Sequence, residues 1–399
     1  MTDAVLTLNA GSSSLKFTLF EAAGLDRLQL VWCGEVERIG SAPRFVARNP
    51  TGATLTEQTW SDAEQDFQSL LTTVIDWAEA HLGADTLVAV GHRVVHGGPD
   101  HNRPERVTPD LLTALDLLTP LAPLHEPHNV APIRAIAAAR PELPQVACFD
   151  TAFHHTMPKI ATRFALPREY EEAGVRRYGF HGLSYEYVSR RLREVAPRLA
   201  NGRVIAAHLG NGASLCAMLS GCSVDTTMGF SALDGLMMGT RCGNLDPGVI
   251  LYLQEERGLT VKQVEDLLYR RSGLLGASGG ISGDMRILLT SPEGHAKDAI
   301  ELFVFRIARE VGALASSLGG LDGLVFTAGI GEHAPAIRAM VAARLGWLGV
   351  EIDPDANALN AALISTPRSS IDIRVLPTDE EAMIAQHTLE TIRPFSSAD

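Results

Sequence analysis

The stretch VLTLNAGSSSLKFTLF at residues 5–20 decides the predicted fold of this chain. Two apolar runs flank a turn rich in glycine and serine, which is the pattern of two strands joined in a hairpin. Residues 204–219, VIAAHLGNGASLCAML, repeat this plan, with Gly212 in the place of Gly11. Two hairpins of one design, half a chain apart, predict two halves of similar architecture.

Strand and helix signals alternate between and after the two hairpins, as they do in layered α/β proteins. Further strands are predicted at 87–95, 145–149, 204–208 and 324–327. No linker rich in proline or serine separates the halves, so the boundary near Asp150 follows from topology. We therefore expect one domain at 1–150 and a second at 151–378, with a C-terminal helical segment, 379–399, that packs back onto the first.

Composition limits the classes of function. The chain has 399 residues, 46% of them hydrophobic, and a formal net charge of −13. This acidic balance, without runs of like charge, argues against a nucleic-acid surface or a polybasic membrane contact, so an anionic substrate needs a local basic site. Five scattered cysteines without a Cys-x-x-Cys spacing indicate neither a disulfide framework nor a zinc site.

Location is predicted from the chain start and from the most apolar segment. The first nine residues lack a basic region followed by an apolar run, so no secretory signal is predicted. The stretch 300–318 carries Arg306, Arg309 and Glu310, which favours an amphipathic helix over a membrane span. The expected location is the cytoplasm.

Four glycine-rich turns are candidates for phosphate binding, because glycine lets backbone N–H groups approach phosphate oxygens closely. They lie at 9–16, 208–212, 276–283 and 328–332. None has the Walker A spacing, and no dinucleotide fingerprint opens a βαβ unit. Taken singly, each is also explained as an ordinary turn.

The order of the motifs is more specific than any one of them. Over essentially its whole length the chain resembles the acetokinase family, the acetate kinases of the sugar kinase, Hsp70 and actin superfamily. The matching motifs are, in chain order, residues 9–17, GHRVVHGG at 91–98, FDTAFH at 149–154, YGFHG at 178–182, residues 208–214, GLMMGTR at 235–241, FTAGIGE at 326–332 and PTDEE at 377–381.

The resemblance implies a fold and an activity. The implied fold is α/β, with two ribonuclease H-like (actin-like ATPase) domains and a nucleotide cleft between them. The implied reaction is reversible, Mg2+-dependent, direct in-line transfer of the γ-phosphoryl group of ATP to acetate, giving acetyl phosphate and ADP, with Mn2+ as a substitute metal. Family members are homodimers, and the first domain is expected to bind the acyl substrate and the second the nucleotide.

The reaction poses an electrostatic problem rather than a proton-transfer problem. A carboxylate with a reference pKa near 4 is already an anion at neutral pH, and it must approach the polyanion ATP. Cations around both partners are therefore needed. Arg93 and Arg241 match the family's residues for acetate and for the transferring phosphoryl group, although an arginine is otherwise most often a solvated surface side chain.

Two more catalytic residues follow from the resemblance. His181 matches the histidine that stabilises the transition state, although a lone histidine is more often structural. Asp150 matches a residue described as an acid or base. Because the nucleophile is already ionised, we expect Asp150 to orient arginines or a metal-bound water, with a strand-end turn as the structural alternative.

The remaining expected contacts also come from the resemblance. Asn9 and Glu380 match the magnesium-associated residues, although an acid in the first turn of a helix also complements the helix dipole. The expected acyl-group contacts, besides Arg93, are Val95, Leu124, Phe180 and Ala232. The expected nucleotide contacts are Ser14, Lys16, His208, Leu209, Gly210, Asn211, Gly212, Asp284, Met285, Arg286, Gly329, Ile330, Gly331, Glu332 and His333.

Four positions depart from the common family pattern. His333 stands where asparagine is usual and Met285 where phenylalanine is frequent, so the nucleotide preference stays open. Glu126 stands at a usual asparagine and Ala232 at a usual proline. A smaller residue at 232 enlarges the acyl pocket, and one methylene group discriminates by only about 1 to 3 kcal/mol. A propionate or other short-chain acyl kinase is therefore the alternative within the family.

A rival of another class is a non-catalytic nucleotide switch, like the chaperones and filament proteins of the superfamily. A chaperone needs a peptide-binding domain after its nucleotide lobes, and the sequence ends within one helix of Glu380. A filament protein polymerises with ATP, which light scattering detects.

Overall fold

The structure is a computed structural model, and it describes residues 2–11, 14–22, 28–60, 67–83, 86–123 and 125–393. The described chain divides into two compact units. The first contains residues up to 152 together with those from 379 onward, and the second contains residues 153–378.

The first unit is built on a twisted sheet that has eight strands within the described residues, in the order β5-β4-β3-β2-β1-β6-β8-β7. β1 pairs antiparallel with β2, as the first hairpin predicts, and parallel with β6, which pairs parallel with β8. The strands are β1 Asp3–Ala10, β2 Leu15–Ala22, β3 Leu28–Glu37, β4 Arg44–Arg48, β5 Thr54–Thr59, β6 Thr86–Val94, β7 Glu105–Arg106 and β8 Gln145–Phe149.

Helices cover this sheet and close its apolar core. They are α1 Phe67–Ala80, α2 Pro109–Leu118, a 3-10 turn at Thr119–Leu121, and α3 Glu126–Ala139. Phe17, Trp32 and Phe45 from the strands pack with Trp77 of α1, with ring centroids 4.7 to 5.8 Å apart. Burial of such large rings is a major stabilising term for a domain of this size.

The second unit repeats the strand plan of the first. Its sheet has the order β11-β10-β9-β12-β13. The strands are β9 Arg203–Leu209, β10 Ala213–Leu219, β11 Cys222–Thr226, β12 Gly323–Thr327 and β13 Asp372–Val375. β10 pairs antiparallel with β9 and β11, whereas β12 pairs parallel with β9 and β13. The core of the first sheet, β3-β2-β1-β6-β8, has the same order and directions, so the predicted likeness of the two halves is confirmed.

The described residues of the second unit form twelve helices, several of which pack on this sheet. They are α4 Lys159–Thr162, α5 Arg168–Glu172, α6 Gly182–Val195, α7 Pro197–Ala200, α8 Pro247–Glu255, α9 Val261–Arg270, α10 Gly273–Ala277, α11 Met285–Thr290, α12 Gly294–Leu318, α13 Ala328–His333, α14 Pro335–Arg344 and α15 Pro354–Ala358, with 3-10 turns at Ala152–Thr156 and Gly346–Leu348. In the part of the chain that the structure describes, no helix combines the length and apolar character that crossing a membrane requires.

The last helix, α16 Glu380–Ile392, belongs to the first unit and packs on β1, β6 and β8. It approaches so closely that a Cβ atom at Gly91 of β6 would lie 2.2 Å from Thr388 Oγ1 and 2.6 Å from Ile384 Cγ2. Only glycine fits there without a shift of the helix. This packing brings Glu380, the first residue of the helix, to the carboxyl ends of the parallel strands.

Candidate active site

The first polar cluster lies where the parallel strands of the first unit end. Asn9 is near the end of β1, Arg93 near the end of β6, and Asp150 directly follows β8. Arg93 donates from Nη2 to Asp150 Oδ2 at 2.5 Å, from Nε to both carboxylate oxygens at 3.1 and 3.2 Å, and from Nη1 to Asn9 Oδ1 at 3.2 Å. Parallel strands present their carboxyl ends at one edge, which is where α/β sheets bind ligands.

Glu380 joins this cluster from the start of α16, with its Oε2 atom 3.8 Å from Arg93 Nε. Burial raises the pKa of Glu380 to about 7, and the charges of Asp150 and Glu381 oppose Arg93 and add to the rise. Burial by itself disfavours the charged form of Arg93, but the carboxylates of Asp150 and Glu380 outweigh it and raise the pKa of the guanidinium. Arg93 therefore remains a cation at every physiological pH.

The donor set of this cluster fits a divalent cation. Glu380 and Asp150 are two carboxylates that share one arginine, and Asn9 adds an amide oxygen. Burial, together with the neighbouring acids, raises the pKa of Glu380, and a bound cation would favour the ionised form of this carboxyl group. Mg2+ commonly takes one or two protein carboxylates and fills its remaining positions with water and phosphate oxygens. Within the described residues, no set of three acidic, histidine or cysteine side chains forms a fuller metal cage.

Asn129 of α3 links the two strand ends that carry Asn9 and Arg93. Its Oδ1 atom accepts from the Val95 N–H at 2.9 Å, and its Nδ2 atom donates to the Ala10 carbonyl at 2.8 Å. Asn129 is buried. No motif in the sequence marks Asn129, because a lone asparagine 119 residues from its partner Ala10 carries no local signal.

The two nucleotide-binding candidates of the first unit, Ser14 and Lys16, lie at the first hairpin. Lys16 is exposed and lines a cavity of about 350 Å3 together with Cys33, Arg48 and Glu381. Ser14 closes the turn of the first hairpin, because its carbonyl accepts from the N–H of Gly11 at 2.8 Å. Their contact with phosphate stays a prediction. Leu124, an expected acyl contact, lies outside the described residues.

The second polar cluster surrounds the hairpin turn between β9 and β10. A Cβ atom at Gly212 would lie 2.7 Å from Arg241 Nη2 and 3.1 Å from His181 Nε2. The two predicted catalytic side chains therefore converge on this glycine, where any larger residue would displace them. Arg241 Nη1 also donates to the Ala232 carbonyl at 2.7 Å, which fixes the direction of the guanidinium.

His181 has a left-handed backbone, with φ 58° and ψ 27°, directly before α6. This conformation is uncommon for residues other than glycine, and such strain is found at functional sites. His154 supports the turn: its Nε2–H donates to the Phe180 carbonyl at 2.9 Å, and burial lowers the pKa of this histidine to about 4. A neutral His154 thus holds the residue that precedes His181.

His181 and His208 stack on each other, with ring centroids 4.1 Å apart and planes 16° apart. Each ring is bonded at Nδ1 to a serine hydroxyl at 2.8 Å, Ser214 for His181 and Ser184 for His208. Both serines were missed from the sequence. No local signal marks them, because Ser214 lies 33 residues from His181 and Ser184 lies 24 residues from His208.

A cavity of about 450 Å3 in the second unit contains most of the predicted nucleoside contacts. Its lining includes Gly210, Asn211, Asp284, Met285, Arg286, Gly329, Ile330 and His333. Asp284 caps α11 by accepting from the Arg286 N–H at 2.9 Å, and the hydrogen bonds from Arg286 lower the pKa of Asp284. A mostly apolar pocket with a few fixed polar groups is typical of a small-molecule site.

Three predicted nucleotide residues have other surroundings. Glu332 Oε1 accepts from the Ala328 N–H at 2.7 Å and from the Thr378 N–H at 3.2 Å, so it holds Ala328 at its left-handed φ of 63°. Leu209 is fully buried within β9, and Gly331 is buried in α13. The side chain of Glu332 therefore fixes the backbone where β12 passes into α13.

Comparison with known proteins identifies the family. The sequence profile described as the acetokinase family matches residues 4–386. The chain belongs to this family.

Relatives match this chain over nearly its whole length. It is 56% identical to the acetate kinase of Rhodopseudomonas palustris (strain ATCC BAA-98 / CGA009), over 97% of this chain and 98% of that one. It is 50% identical to the acetate kinase of Rhizobium meliloti, over 98% of both chains.

Solved structures agree with the fold of the acetokinase. A propionate kinase from Francisella tularensis subsp. tularensis SCHU S4 has a TM-score of 0.90 at 37% identity, over 98% of this chain and all of that one. An acetate kinase from Porphyromonas gingivalis has a TM-score of 0.86 at 36% identity, with the same coverage. The predicted pair of actin-like α/β domains is confirmed by these neighbours and by the repeated strand order.

Proposed function

We propose that this acetokinase transfers the γ-phosphoryl group of ATP to acetate, giving acetyl phosphate and ADP. The observation that carries the proposal is the convergence of Arg241 and His181 on the glycine turn of the second unit, in a chain whose relatives at 49 to 56% identity are acetate kinases. Transfer of a phosphoryl group depends mainly on positioning and on stabilisation of charge, and these two side chains supply both.

The chemistry needs no general base. The acetate oxygen forms a bond to the γ-phosphorus while the bond from phosphorus to the β,γ-bridging oxygen breaks, and ADP leaves with that electron pair. Because the acceptor is already ionised, no proton moves. Asp150 acts as a positioning residue instead, since both of its oxygens accept from Arg93.

The first unit is proposed to bind the acceptor and the metal. Arg93 holds the acetate carboxylate, because a guanidinium fixes a carboxylate by paired, charge-assisted hydrogen bonds. Val95, whose backbone is held by Asn129, is proposed to contact the acyl methyl group. Asn9 and Glu380 would hold Mg2+, which, when bound, neutralises charge on the nucleotide phosphates.

The second unit is proposed to bind the nucleotide and to stabilise the transition state. The cavity around Met285 and Ile330 takes the nucleoside, and the Gly210–Gly212 turn faces the phosphates. Arg241 and His181 donate to the oxygens of the transferring group. Phe180 and Ala232 are proposed to contribute apolar contacts to the acyl group.

The proposal also covers the metal, the oligomeric state and the location. The first point is that Mg2+ is preferred over Mn2+. The second is that the enzyme is a homodimer, and the third is that it acts in the cytoplasm. Activity with each metal at equal free concentration tests the first. Light scattering of the purified enzyme tests the second, with a mass near twice 42.8 kDa as the expected result. Fractionation of the source cells tests the third.

Trapping of the product tests the proposed reaction. The enzyme is incubated with Mg-ATP and acetate, propionate or butyrate, and hydroxylamine converts any acyl phosphate to a hydroxamate. We expect acetate to have the highest kcat/KM. A higher value for propionate would move the assignment to the alternative within the family, and absence of product with every acid would refute an acyl kinase.

A further inference from the structure

Two buried serines hold the stacked histidines of the second unit. Ser214 on β10 lies 2.8 Å from Nδ1 of His181, and Ser184 on α6 lies 2.8 Å from Nδ1 of His208. Both serines are fully buried. Each histidine therefore has its Nδ1 edge fixed by one hydroxyl that bulk water does not reach.

The opposite edges of the two rings face the same turn. A Cβ atom at Gly212 would lie 3.1 Å from His181 Nε2, and one at Gly210 would lie 3.8 Å from His208 Nε2. The proposed function places the phosphates of the nucleotide at this turn. What each Nε2 atom carries, a hydrogen or a lone pair, therefore decides whether it attracts or repels a phosphoryl oxygen.

The direction of each serine–histidine hydrogen bond sets which ring nitrogen carries the hydrogen. A neutral imidazole has one N–H donor and one acceptor, so a histidine whose Nδ1 accepts from a hydroxyl must have its hydrogen on Nε2. For His181 the chain of donors extends further, because the Tyr185 hydroxyl lies 2.5 Å from Ser214 Oγ. If Tyr185 donates to Ser214, the hydrogen of Ser214 is directed to His181.

We propose that Ser184 and Ser214 are positioning residues that keep His208 and His181 as Nε2–H tautomers, so that both rings present donors to the phosphates at the Gly210–Gly212 turn. Tyr185 supports Ser214 in this arrangement. The proposal rests on the proposed function for the identity of the phosphates. The direction of each serine–histidine hydrogen bond is part of the proposal, and it is what the NMR measurement below tests.

Nitrogen NMR of the full-length enzyme, labelled with 15N-histidine, tests the tautomers without any turnover. The spectrum is recorded near pH 8, and the signals are assigned by their loss in H181Q and H208Q. We expect both histidines to carry hydrogen on Nε2 in the wild-type enzyme. A hydrogen on Nδ1 of either ring would overturn the proposal for that ring, whether or not the enzyme phosphorylates acetate.

Kinetics of serine variants test the consequence. S214A and S184A are expected to lower kcat by about 10- to 100-fold, by analogy with the loss of a partner that orients a metal-ligating histidine. The KM for acetate should change by less than about threefold, because the acceptor contacts lie elsewhere. Y185F should have a smaller effect than S214A, since the hydroxyl of Ser214 remains.

Ser189 supplies a matched control. Ser189 is a buried serine of α6, the helix that also carries Ser184. Its hydroxyl donates to the Gly221 carbonyl at 2.9 Å. S189A removes one buried hydroxyl without touching a histidine, so we expect a similar fall in Tm and an unchanged kcat. Equal kcat values for S214A, S184A and S189A would contradict the proposal. If a serine variant does not fold, the wild-type NMR spectrum still decides it.

Discussion

The two polar clusters are held by opposite kinds of partner. In the first unit, Arg93 is fixed by the carboxylates of Asp150 and Glu380. In the second unit, Arg241 donates to a main-chain carbonyl, and the two histidines are bonded to serine hydroxyls. A carboxylate partner cancels charge as it positions a cation, whereas a hydroxyl or carbonyl positions a side chain and leaves its charge unchanged.

This difference indicates a division of work. Under the proposed function, the first cluster would orient the acceptor and the metal. The second would donate to the phosphoryl group, on which negative charge is distributed in the transition state. Substitutions in the first cluster should therefore act mainly on KM for acetate, and substitutions in the second mainly on kcat.

The largest effect is expected for Arg241→Ala. Loss of a guanidinium that stabilises a transferring phosphoryl group lowers kcat by about a thousandfold or more. The KM for acetate should stay within a few-fold of the wild-type value. Hydroxamate assays over a range of acetate concentrations separate the two constants.

Arg309→Ala is the control for this change, because Arg309 is an exposed arginine of α12 that pairs with Glu310. It should leave both constants unchanged. A tenfold rise in the KM for acetate in the Arg241 variant, with kcat preserved, would contradict the prediction that the second cluster acts mainly on kcat.

Arg93→Ala is expected to raise the KM for acetate by about 10- to 100-fold. Hydrogen bonds to a charged group contribute about 1.5 to 3 kcal/mol, which corresponds to that range. A smaller change in kcat should accompany it. The same titration with acetate provides the measurement, and a fall in kcat without a change in KM would place Arg93 with the second cluster.

Asp150→Asn should raise the KM for acetate less than Arg93→Ala does. Asparagine keeps the size of the side chain but removes the charge that raises the pKa of Arg93 and fixes its direction. We expect about a tenfold rise in the KM for acetate, with kcat less affected. A general base would give a different result, because its loss lowers kcat strongly and changes the pH profile.

Glu126 extends the comparison, because it is a fully buried acid of the first unit. Burial raises its pKa from 4.5 to about 8, and the His96 backbone N–H offsets only part of this rise. Between pH 4.5 and 8 the unfolded chain ionises Glu126 while the folded chain keeps it protonated. Stability is therefore lost as pH rises through this window.

Glu126→Gln removes this pH dependence. The variant should gain Tm relative to the wild type at pH 8, by several degrees, and gain little at pH 5. Thermal unfolding at the two pH values gives the difference, and Glu301→Gln, at an exposed position of α12, serves as the control that should show none. An equal Tm difference at both pH values would mean that Glu126 is ionised in the folded protein.

Local patterns predicted the strands well. The run at 145–149 became β8 with the same bounds, and both glycine-tipped hairpins formed as expected. The expectation that Asp150 orients an arginine agrees with its hydrogen bonds from Arg93. Alternation of apolar residues and glycine turns is a local property, which explains this success.

The groups that support the site could not be predicted. Ser214 lies 33 residues from His181, and Asn129 lies 119 residues from Ala10, so only the folded chain makes them partners. The carboxylate of Glu332 accepts from the N–H groups of Ala328 and Thr378, and its expected contact with ATP stays a prediction. A motif marks a place in the chain, but it does not say whether each member contacts the ligand or shapes the turn.

The stereochemistry at phosphorus tests most directly the claim that charge and position alone carry the transfer. ATP made chiral at the γ-phosphorus with oxygen isotopes is converted to acetyl phosphate, and the configuration of the product is determined. Direct attack by acetate predicts inversion. Overall retention would require a phosphorylated side chain as an intermediate and would contradict the account.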